Sequence, residues 1–486
     1  MSKCPHCGAE VQYKPELKKV HCEYCGSNFN ASELLREYKK AKANKIEEED
    51  IDDKSPKLTG VAYSCTQCGA TLLSFDETAV TFCSYCGSQN IIEEKMPKKK
   101  APDYIIPFVK TKEQCIHNYK RKIASFLFCP SFMKKGFTVQ KFRGIYMPYG
   151  IYPLYYNDDC VNHGQKYSHR SGDYVYYDDY DLHADVEATY DGITFDLLSK
   201  FYDEYSHAIP FNFKKAEEFN PNYLPGFYAD AGDVDIGTYS TEAIKIGTDD
   251  SVNYLKKKWT YRFYSCHYPK VNFHVGEKKY GYFPVYFLSI RDKNDKNIYY
   301  AIINGQTGKV AADLPIDYIK YIIVSILLAI PIFFLLSGLP VILPIAINFF
   351  AIFCAVAAWI ICIIQIEACN KRASRYTDKG YNHALKKQEA LYGKVVDDTK
   401  KKKKGKNKIE KKYKVEKKEW LKFVIAIVLS IITILLKPVN DFFYYATAII
   451  GLILVLWSFY DLVEIHNILV SRPIPQLEKR GGDEHE

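Results

Sequence analysis

Eight cysteines near the N-terminus stand in two sets of identical spacing. In each set a Cys-x-x-Cys pair is followed, after 14 residues, by a second such pair. The sets are Cys4, Cys7, Cys22 and Cys25, then Cys65, Cys68, Cys83 and Cys86. Zinc prefers four soft donors in a tetrahedron, and each Cys-x-x-Cys pair supplies two of them from one tight turn. The spacing therefore predicts two structural zinc ions, each bound by four thiolates.

Both predicted sites are closed, because four thiolates leave no position at the metal for water or substrate. Each unit is too small to fold around a core of its own, so metal binding is expected to supply its folding free energy. Disulfides are the main alternative. They are disfavoured because a long chain without an apolar export segment is expected in a reducing compartment. A redox role is disfavoured because the four Cys-x-x-Cys motifs occur in paired sets.

The charge around the cysteines bears on what these units contact. Residues 63–92 contain Asp76 and Glu77 but no Lys or Arg, and a zinc ion with four thiolates adds a charge of about −2. Contacts with phosphate dominate the affinity of proteins for nucleic acids, so nucleic acid is a disfavoured partner. Protein contact or structural support is the favoured role of these units.

The middle of the chain holds two groups of reactive side chains that resemble parts of active sites. Either group could form a nucleophile–base pair or a carboxylate–histidine metal site. They are Cys160 with His163, and Asp178 and Asp179 with His183 and Asp185. Neither group lies in a recognisable catalytic motif. The sequence therefore favours a non-enzymatic protein and predicts no catalytic residue, with an enzyme in the middle domain kept as an alternative.

The middle domain, residues 103–316, is predicted to be α+β. Thr111 and Gln114 form a capping-box pattern ahead of apolar residues at helical spacing. Aromatic–proline–aromatic segments recur and are expected at sheet edges or bulges, and Asn304-Gly305 predicts a hairpin turn. An Ile-Pro-Phe triplet occurs at 106–108 and again at 209–211, which hints at an internal duplication.

Residues 321–366 contain no Asp, Glu, Lys or Arg. A transmembrane helix needs about 20 apolar residues, so this run predicts a helical hairpin with spans at 318–336 and 341–362. A second hairpin is predicted with spans at 420–436 and 442–460. The third span is the weakest, and the alternative is that it lies in the membrane interface, which leaves three crossings.

The charge of the loop between the hairpins predicts the orientation of the protein. The chain carries a net charge of +9, and residues 367–419 alone hold 19 Lys or Arg against 8 Asp or Glu. Basic loops stay on the cytoplasmic side, so with four spans both termini are also expected there. The segment from Lys400 to Lys418 is expected to contact anionic lipid, or alternatively to act only in fixing the topology.

The predicted fold is therefore multidomain, with two small Cys4 zinc ribbons, an α+β middle domain and four transmembrane helices. The boundaries are residues 1–30 for the first ribbon, 31–60 for a charged helical spacer, 61–93 for the second ribbon, 94–102 for a linker, 103–316 for the middle domain, 317–366 for the first membrane hairpin, 367–419 for the basic loop, 420–461 for the second hairpin and 462–486 for a cytoplasmic tail.

This combination resembles the bacterial TFIIB-type zinc-ribbon-containing membrane proteins, a multi-pass family found mainly in Firmicutes. The segments that carry the resemblance are residues 65–90, 105–113, 144–150, 223–230, 283–288 and 304–310. The family implies no established reaction, so only the zinc ligands transfer. The ribbon is duplicated here where one is expected. We expect an adaptor or scaffold that holds a protein partner near the membrane, with a membrane-tethered nucleic-acid-binding regulator as the alternative.

Overall fold

The structure, a computed structural model, describes most of the chain outside the charged linkers and the C-terminal tail. The described residues are 3–36, 61–65, 71–75, 83, 91–94, 101–135, 144–199, 201–258, 262–263, 271–291, 298–337, 343–373, 375, 378–392 and 419–470. They form a small N-terminal sheet, a large sheet with surrounding helices, and a group of apolar helices in the C-terminal third.

The small sheet carries the first cysteine set. Its described strands are antiparallel in the order β1 (Gln12–Lys14), β2 (Lys19–His21) and β3 (Asn28–Phe29). The residue after each Cys-x-x-Cys pair has a positive φ, 74° at Gly8 and 73° at Gly26. Only glycine adopts that conformation without steric cost, so the glycines are required where each cysteine turn closes.

The large sheet joins segments from residue 61 to residue 312. Its described strands are β4 (Val61–Cys65), β5 (Thr71–Ser74), β6 (Ile91–Glu94), β7 (Tyr104–Ile105), β8 (Gly144–Ser171), β9 (Tyr174–Asp196), β10 (Glu217–Glu218), β11 (Tyr228–Ala229), β12 (Arg262–Phe263), β13 (His274–Val275), β14 (Lys279–Arg291), β15 (Ile298–Asn304) and β16 (Val310–Ala312). Their order is β10-β7-β14-β8-β11-β5-β4-β6, with β9, β12 and β13 also on β8 and with β15 and β16 following β14.

Two of the aromatic–proline–aromatic segments lie in the middle of this sheet, not at its edge. Pro148 in β8 and Pro284 in β14 fall within the stretch where these two strands pair with each other. On its other side β8 pairs with β11 up to residue 146 and with β9 from residue 149. β14 likewise pairs with β7 up to residue 282 and with β15 from residue 285. Each proline therefore lies where one partner strand ends and the next begins, so its missing N–H interrupts no ladder.

The two Ile-Pro-Phe segments hold the same hairpin turn. The backbone N–H groups of Val109 and Lys110 donate to Gly305 O at 3.0 and 2.8 Å. The Asn304 side-chain amide donates to the carbonyls of residues 209 and 210 at 3.1 and 2.9 Å. The two segments that contain the repeated triplet thus form hydrogen bonds with the same turn.

Helices surround the large sheet. Those of the middle region are α1 (Lys112–Ser125), α2 (Ser131–Lys135), α3 (Asp203–Ala208) and α4 (Ser240–Lys258). The predicted capping box is confirmed, because the Thr111 hydroxyl accepts from the backbone N–H of Gln114 and the Gln114 side chain accepts from that of Thr111. Cys115, Tyr119 and Ile123 form the buried face of α1.

The C-terminal third is helical and mostly apolar. Its described helices are α5 (Tyr318–Ser337), α6 (Pro344–Ala373), α7 (Lys379–Tyr392), α8 (Glu419–Leu436) and α9 (Phe442–Val470). Within the described residues, two segments are long and apolar enough to cross a membrane, Pro344–Cys369 and Phe442–Asn467. Only 22% and 17% of their most apolar windows are buried, unlike core helices of a soluble protein. Tyr318–Leu328 and Leu421–Leu436 are shorter apolar helices.

The two cysteine-bearing segments are continuous with the middle region. Val11, Tyr13 and Val20 of the small sheet belong to the same buried cluster as Phe108 and Tyr146. In the large sheet β5 pairs with β11, so the strands of residues 61–94 extend the sheet of the middle region. Of the predicted charged spacer, residues 31–36 are helical, and residues 37–60 lie outside the described residues.

Candidate metal centre

The first cysteine set converges into one cluster. The four Sγ atoms of Cys4, Cys7, Cys22 and Cys25 all lie within 4.8 Å of one another. The closest pairs cross between the two turns, with 3.5 Å from Cys4 Sγ to Cys25 Sγ and 3.5 Å from Cys7 Sγ to Cys22 Sγ. A disulfide needs about 2.05 Å, whereas zinc–sulfur bonds of about 2.3 Å in a tetrahedron place sulfurs about 3.8 Å apart. The cluster could therefore hold a metal ion.

The two turns that present these thiols have the same backbone hydrogen bonds. In the first, Cys4 N donates to Ala9 O and Gly8 N donates to Cys4 O, both at 2.8 Å. In the second, Cys22 N donates to Ser27 O and Gly26 N donates to Cys22 O, both at 2.9 Å. These bonds close both turns in the same way, so each turn presents its two thiols in the same arrangement.

The cluster lies at the edge of the small sheet. One thiol of each pair is buried, Cys4 and Cys22, and the other is exposed, Cys7 and Cys25. The Ser27 hydroxyl and backbone N–H lower the pKa of Cys25 to about 6. Against a backbone hydrogen bond at Ala9, desolvation and the neighbouring thiols raise the pKa of Cys7 to about 12, so the thiols share their protons unevenly in the absence of a metal charge. A metal ion here would be half covered by the sheet.

The neighbouring histidines point to other partners. His6 Nδ1 is 2.9 Å from Ser27 Oγ, and His21 Nδ1 is 2.8 Å from Asn28 Oδ1. The cysteines alone supply the donor set that the structure brings together here.

The second cysteine set is described in part. Cys65 at the end of β4 and Cys83 are both buried, and they belong to one apolar cluster with Ile145, Met147 and other residues of the large sheet. Cys68 and Cys86 lie outside the described residues. The second predicted site therefore stays a prediction.

Tyr13 attaches the small sheet to the middle region. The cysteine spacing does not predict this contact. Its hydroxyl donates to Phe108 O at 3.2 Å, and its ring meets Tyr223 edge to face at a centroid distance of 4.9 Å. Burial, reinforced by Glu217 and Glu16, raises the pKa of Tyr13 to about 12. Asn220 Nδ2 also donates to Ala31 O at 2.8 Å.

The structure separates the first group of reactive side chains in the middle region. Cys160 is buried and His163 is exposed on β8, and residues three apart in a strand face opposite sides. His163 instead meets Asp181 of β9, with 2.5 Å from Nδ1 to Oδ1. A nucleophile–base pair between Cys160 and His163 is therefore absent from the described geometry.

The second group is spread along strand β9. Asp179, His183 and Asp185 share one side of the strand, whereas Asp178 has the opposite parity. Asp185 stands opposite Asp159 of β8, and the hydrogen bond and charge of Asp185 raise the pKa of Asp159. Asp185 also lines an open cleft of about 540 Å³ between β9 and α4, which Tyr190 and Asp250 line as well. His183 and Asp178 do not line that cleft.

Polar contacts join the ends of the apolar helices to one another and to the middle region. Lys422 of α8 forms an ion pair with Asp461 of α9. Asn467 of α9 exchanges two hydrogen bonds with the backbone of Ile316, at 2.7 and 2.8 Å. The Tyr318 ring stacks on Tyr460 at 4.6 Å. The first residues of α5 and α8 thus lie beside the last residues of α9.

Comparison with known proteins places the chain beside one uncharacterised bacterial protein. It is 25% identical over 328 residues to "Uncharacterized protein YdjG" of Bacillus subtilis (strain 168), and the match covers 65% of this chain and 90% of that protein. No family model matches the chain. No solved structure matches it. The chain is therefore similar, over most of the relative's length, to a bacterial protein whose printed name states no activity.

Proposed function

We propose that this protein is a membrane-anchored, zinc-binding adaptor or scaffold at the cytoplasmic face of a bacterial plasma membrane. Four transmembrane helices would anchor it, with both termini in the cytoplasm. Its fold would belong with the TFIIB-type zinc-ribbon-containing membrane proteins that the sequence resembles. Its part in the cell would be to hold a protein partner near the bilayer.

One observation supports this role above the others: the four-thiol cluster is built into the same core as the middle region. Val11 and Tyr13 of the small sheet belong to one buried cluster with Phe108 and Tyr223. A closed metal site with four protein donors is structural. A metal that stabilises a docked sheet presents a fixed surface to a partner. It leaves no position at which a substrate could bind.

Zinc is the metal that this donor set favours. Four thiolates in a tetrahedral arrangement select zinc or iron–sulfur chemistry among the common metals, and two Cys-x-x-Cys turns of matched geometry are typical of zinc ribbons. By the same spacing, Cys65, Cys68, Cys83 and Cys86 would hold a second ion.

Four membrane crossings are supported by where the helix ends lie. Residues at the start of α5 and α8 contact residues near the end of α9, and Arg372 in the last turn of α6 pairs with Asp313 just before α5. The starts of α5 and α8 and the ends of α6 and α9 thus lie on the same side, as expected for two antiparallel hairpins. Large apolar side chains such as Phe353 and Leu435 are exposed on these helices, as lipid contact requires.

The charge of the exposed surface favours a protein partner over nucleic acid. The β8–β9 hairpin from residue 155 to 191 carries nine Asp or Glu against two Lys or Arg, and it exposes several tyrosines, including Tyr167 and Tyr174. Tyrosine is enriched in protein interfaces, whereas an acidic surface repels phosphate.

Metal analysis of the purified full-length protein tests the first part of the proposal. We expect two zinc ions per chain, falling to one in the Cys22→Ser variant because three thiolates hold the ion poorly. Cys354→Ser, which changes an exposed cysteine of α6, is the matched control and should keep both ions. A wild-type protein that holds no zinc would contradict the proposal.

Cross-linking in intact cells, followed by purification of the full-length protein, tests the adaptor role. We expect a specific protein to be recovered with wild type and with Cys354→Ser, and to be lost from Cys22→Ser or Cys65→Ser. If every recovered protein is also recovered with both zinc-site variants, the metal units do not present the partner surface and the adaptor role fails.

A further inference from the structure

The segment that follows α6 carries a group of buried charges. Arg375 and Asp378 pair with each other, and their side chains are 5% and 0% exposed. Arg375 Nη2 also donates to Phe201 O at 2.7 Å. Lys379 N donates to Asp203 Oδ2 at 3.1 Å, and the Tyr239 hydroxyl donates to Asp203 Oδ1 at 2.9 Å. The chain leaving the apolar helix therefore inserts between α3 and α4 of the middle region.

This insertion holds Arg375 in an unfavourable state. Its φ is 50°, in the left-handed region that costs a non-glycine residue about 1–2 kcal/mol. Its Nε and Nη1 are buried without a hydrogen-bond partner. Strained backbone and unpaired buried donors persist only when the surroundings impose them, and they concentrate at switch regions.

The cluster also contains more negative than positive charge. Asp196, Asp203 and Asp378 are all buried. Arg375 pairs with Asp378 and its charge also reaches Asp203, whereas the charges that act on Asp196 are those of Asp203 and Asp378. Around them, α3 contributes Glu204 and His207, α4 contributes Glu242, and Asp313 precedes α5; Arg372 pairs with Glu204 and Asp313, and Lys379 with Glu242. Among the described residues around the cluster, Arg372 and Lys379 thus pair with other carboxylates, while the His207 side chain acts on Asp203. Three buried carboxyl groups beside one guanidinium leave a proton as the missing counter-charge.

We infer that Arg372, Arg375, Asp378 and Lys379 form a proton-controlled latch that clamps the end of the second apolar helix to the middle region. The latch is closed while the buried carboxyl groups of Asp196, Asp203 and Asp378 keep a proton among them. It opens as they ionise, because negative charges then lie close together in a site that contains little water. This regulation concerns the joint between domain and membrane helices and does not depend on the adaptor role.

The direction of the pH response follows from the carboxyl groups. Burial raises the pKa of Asp196 well above its ordinary value and raises the pKa of Asp203. Burial also raises the pKa of Asp378 to about 6, against the opposing charge of Arg375. The closed state therefore binds more protons than the open state, so its stability falls as pH rises. For Asp378 that loss extends from about pH 4 to about pH 6, and for Asp196 it continues to higher pH.

Hydrogen exchange of the full-length protein in lipid nanodiscs, followed by mass spectrometry, tests the latch. Between pH 5.5 and 8, and after correction for intrinsic exchange rates, protection of residues 378–386 should fall about fourfold through Asp378, whose pKa of about 6 leaves it largely protonated at pH 5.5. It should fall further through Asp196, whose raised pKa extends the loss to higher pH. Protection of α1 should stay constant. Equal behaviour of the two segments in wild type would overturn the inference.

Two variants separate the latch from general destabilisation. Asp196→Asn removes a titrating group with little change of shape, so the latch should stay protected at pH 8. Asp249→Asn changes an exposed carboxylate of α4 and should keep the wild-type pH profile. A wild-type profile in Asp196→Asn would refute the inference. If that variant fails to fold, the wild-type profile decides the question.

Discussion

Replacing Tyr13 by alanine is expected to detach the small sheet from the middle region without removing its metal. Tyr13 is 4% exposed, and its ring packs on Tyr223 while its hydroxyl donates to Phe108 O at 3.2 Å. None of these contacts involves the cysteine turns. The variant therefore distinguishes docking of the sheet from folding of the metal site.

The magnitude can be worked from two substitutions at this position. Truncating a large buried aromatic side chain to alanine costs about 3–5 kcal/mol. Tyr13→Phe keeps the ring and loses one buried hydrogen bond, which costs about 1 kcal/mol. Because about 1.4 kcal/mol corresponds to a factor of ten, the docking equilibrium should shift more than a hundredfold in the first variant and only several-fold in the second.

Native-state hydrogen exchange of residues 11–21 and 223–228 measures that shift, and zinc analysis of the same samples checks the metal. Tyr24→Ala is the matched control, because Tyr24 is 84% exposed between the ligands Cys22 and Cys25. It should leave both protection and zinc content unchanged. If Tyr13→Ala exchanges no faster than Tyr24→Ala, or loses its zinc, the small sheet is not docked through Tyr13 in the way described.

Three further outcomes follow from the same contacts. Gly305→Ala should destabilise the protein by about 1–3 kcal/mol in thermal unfolding, because a Cβ there would lie 2.6 Å from the Phe108 ring. An unchanged melting temperature would contradict the close packing of the hairpin turn on Phe108. Asn348→Leu should cost about 1 kcal/mol, because Asn348 of α6 makes two hydrogen bonds with α9, at 3.1 and 3.2 Å, and each such bond between membrane helices contributes about 0.6 kcal/mol. A gain in stability would contradict this. In intact cells, Asn440→Cys, in the turn between α8 and α9, should react with a membrane-impermeant maleimide, whereas Tyr24→Cys, on the cytoplasmic side, should not. The reverse result would contradict the proposed topology.

The cysteine cluster could be predicted from the sequence because its determinants are local. Each Cys-x-x-Cys pair and its following glycine form one turn, and Cys4 to Cys25 is a short loop to close. The same holds for the Thr111 capping box, which depends on residues three apart. Where the chemistry lies within a few residues, the pattern of residue types was sufficient.

The attachment of the cysteine segments could not be predicted, since it depends on contacts far apart in sequence. Tyr13 and Phe108 are 95 residues apart, and β5 pairs with β11 across more than 150 residues. No periodicity within either segment records such a partner. The same reason applies to Arg375, whose charge counted only toward a basic loop until its side chain was seen buried beside Asp378.

Phe108 is the residue at which the parts of the protein meet. Its carbonyl accepts from Tyr13, and its ring stacks on Phe227 at 4.1 Å and meets Tyr146 at 4.9 Å. The turn at Gly305 lies against the same ring and leads through β16 into the first apolar helix. Because interiors are close-packed, Phe108 joins the small sheet that carries the cysteine cluster to the turn that leads into the first apolar helix. The cysteine cluster is therefore attached to the core of the middle region and is not an independent appendage.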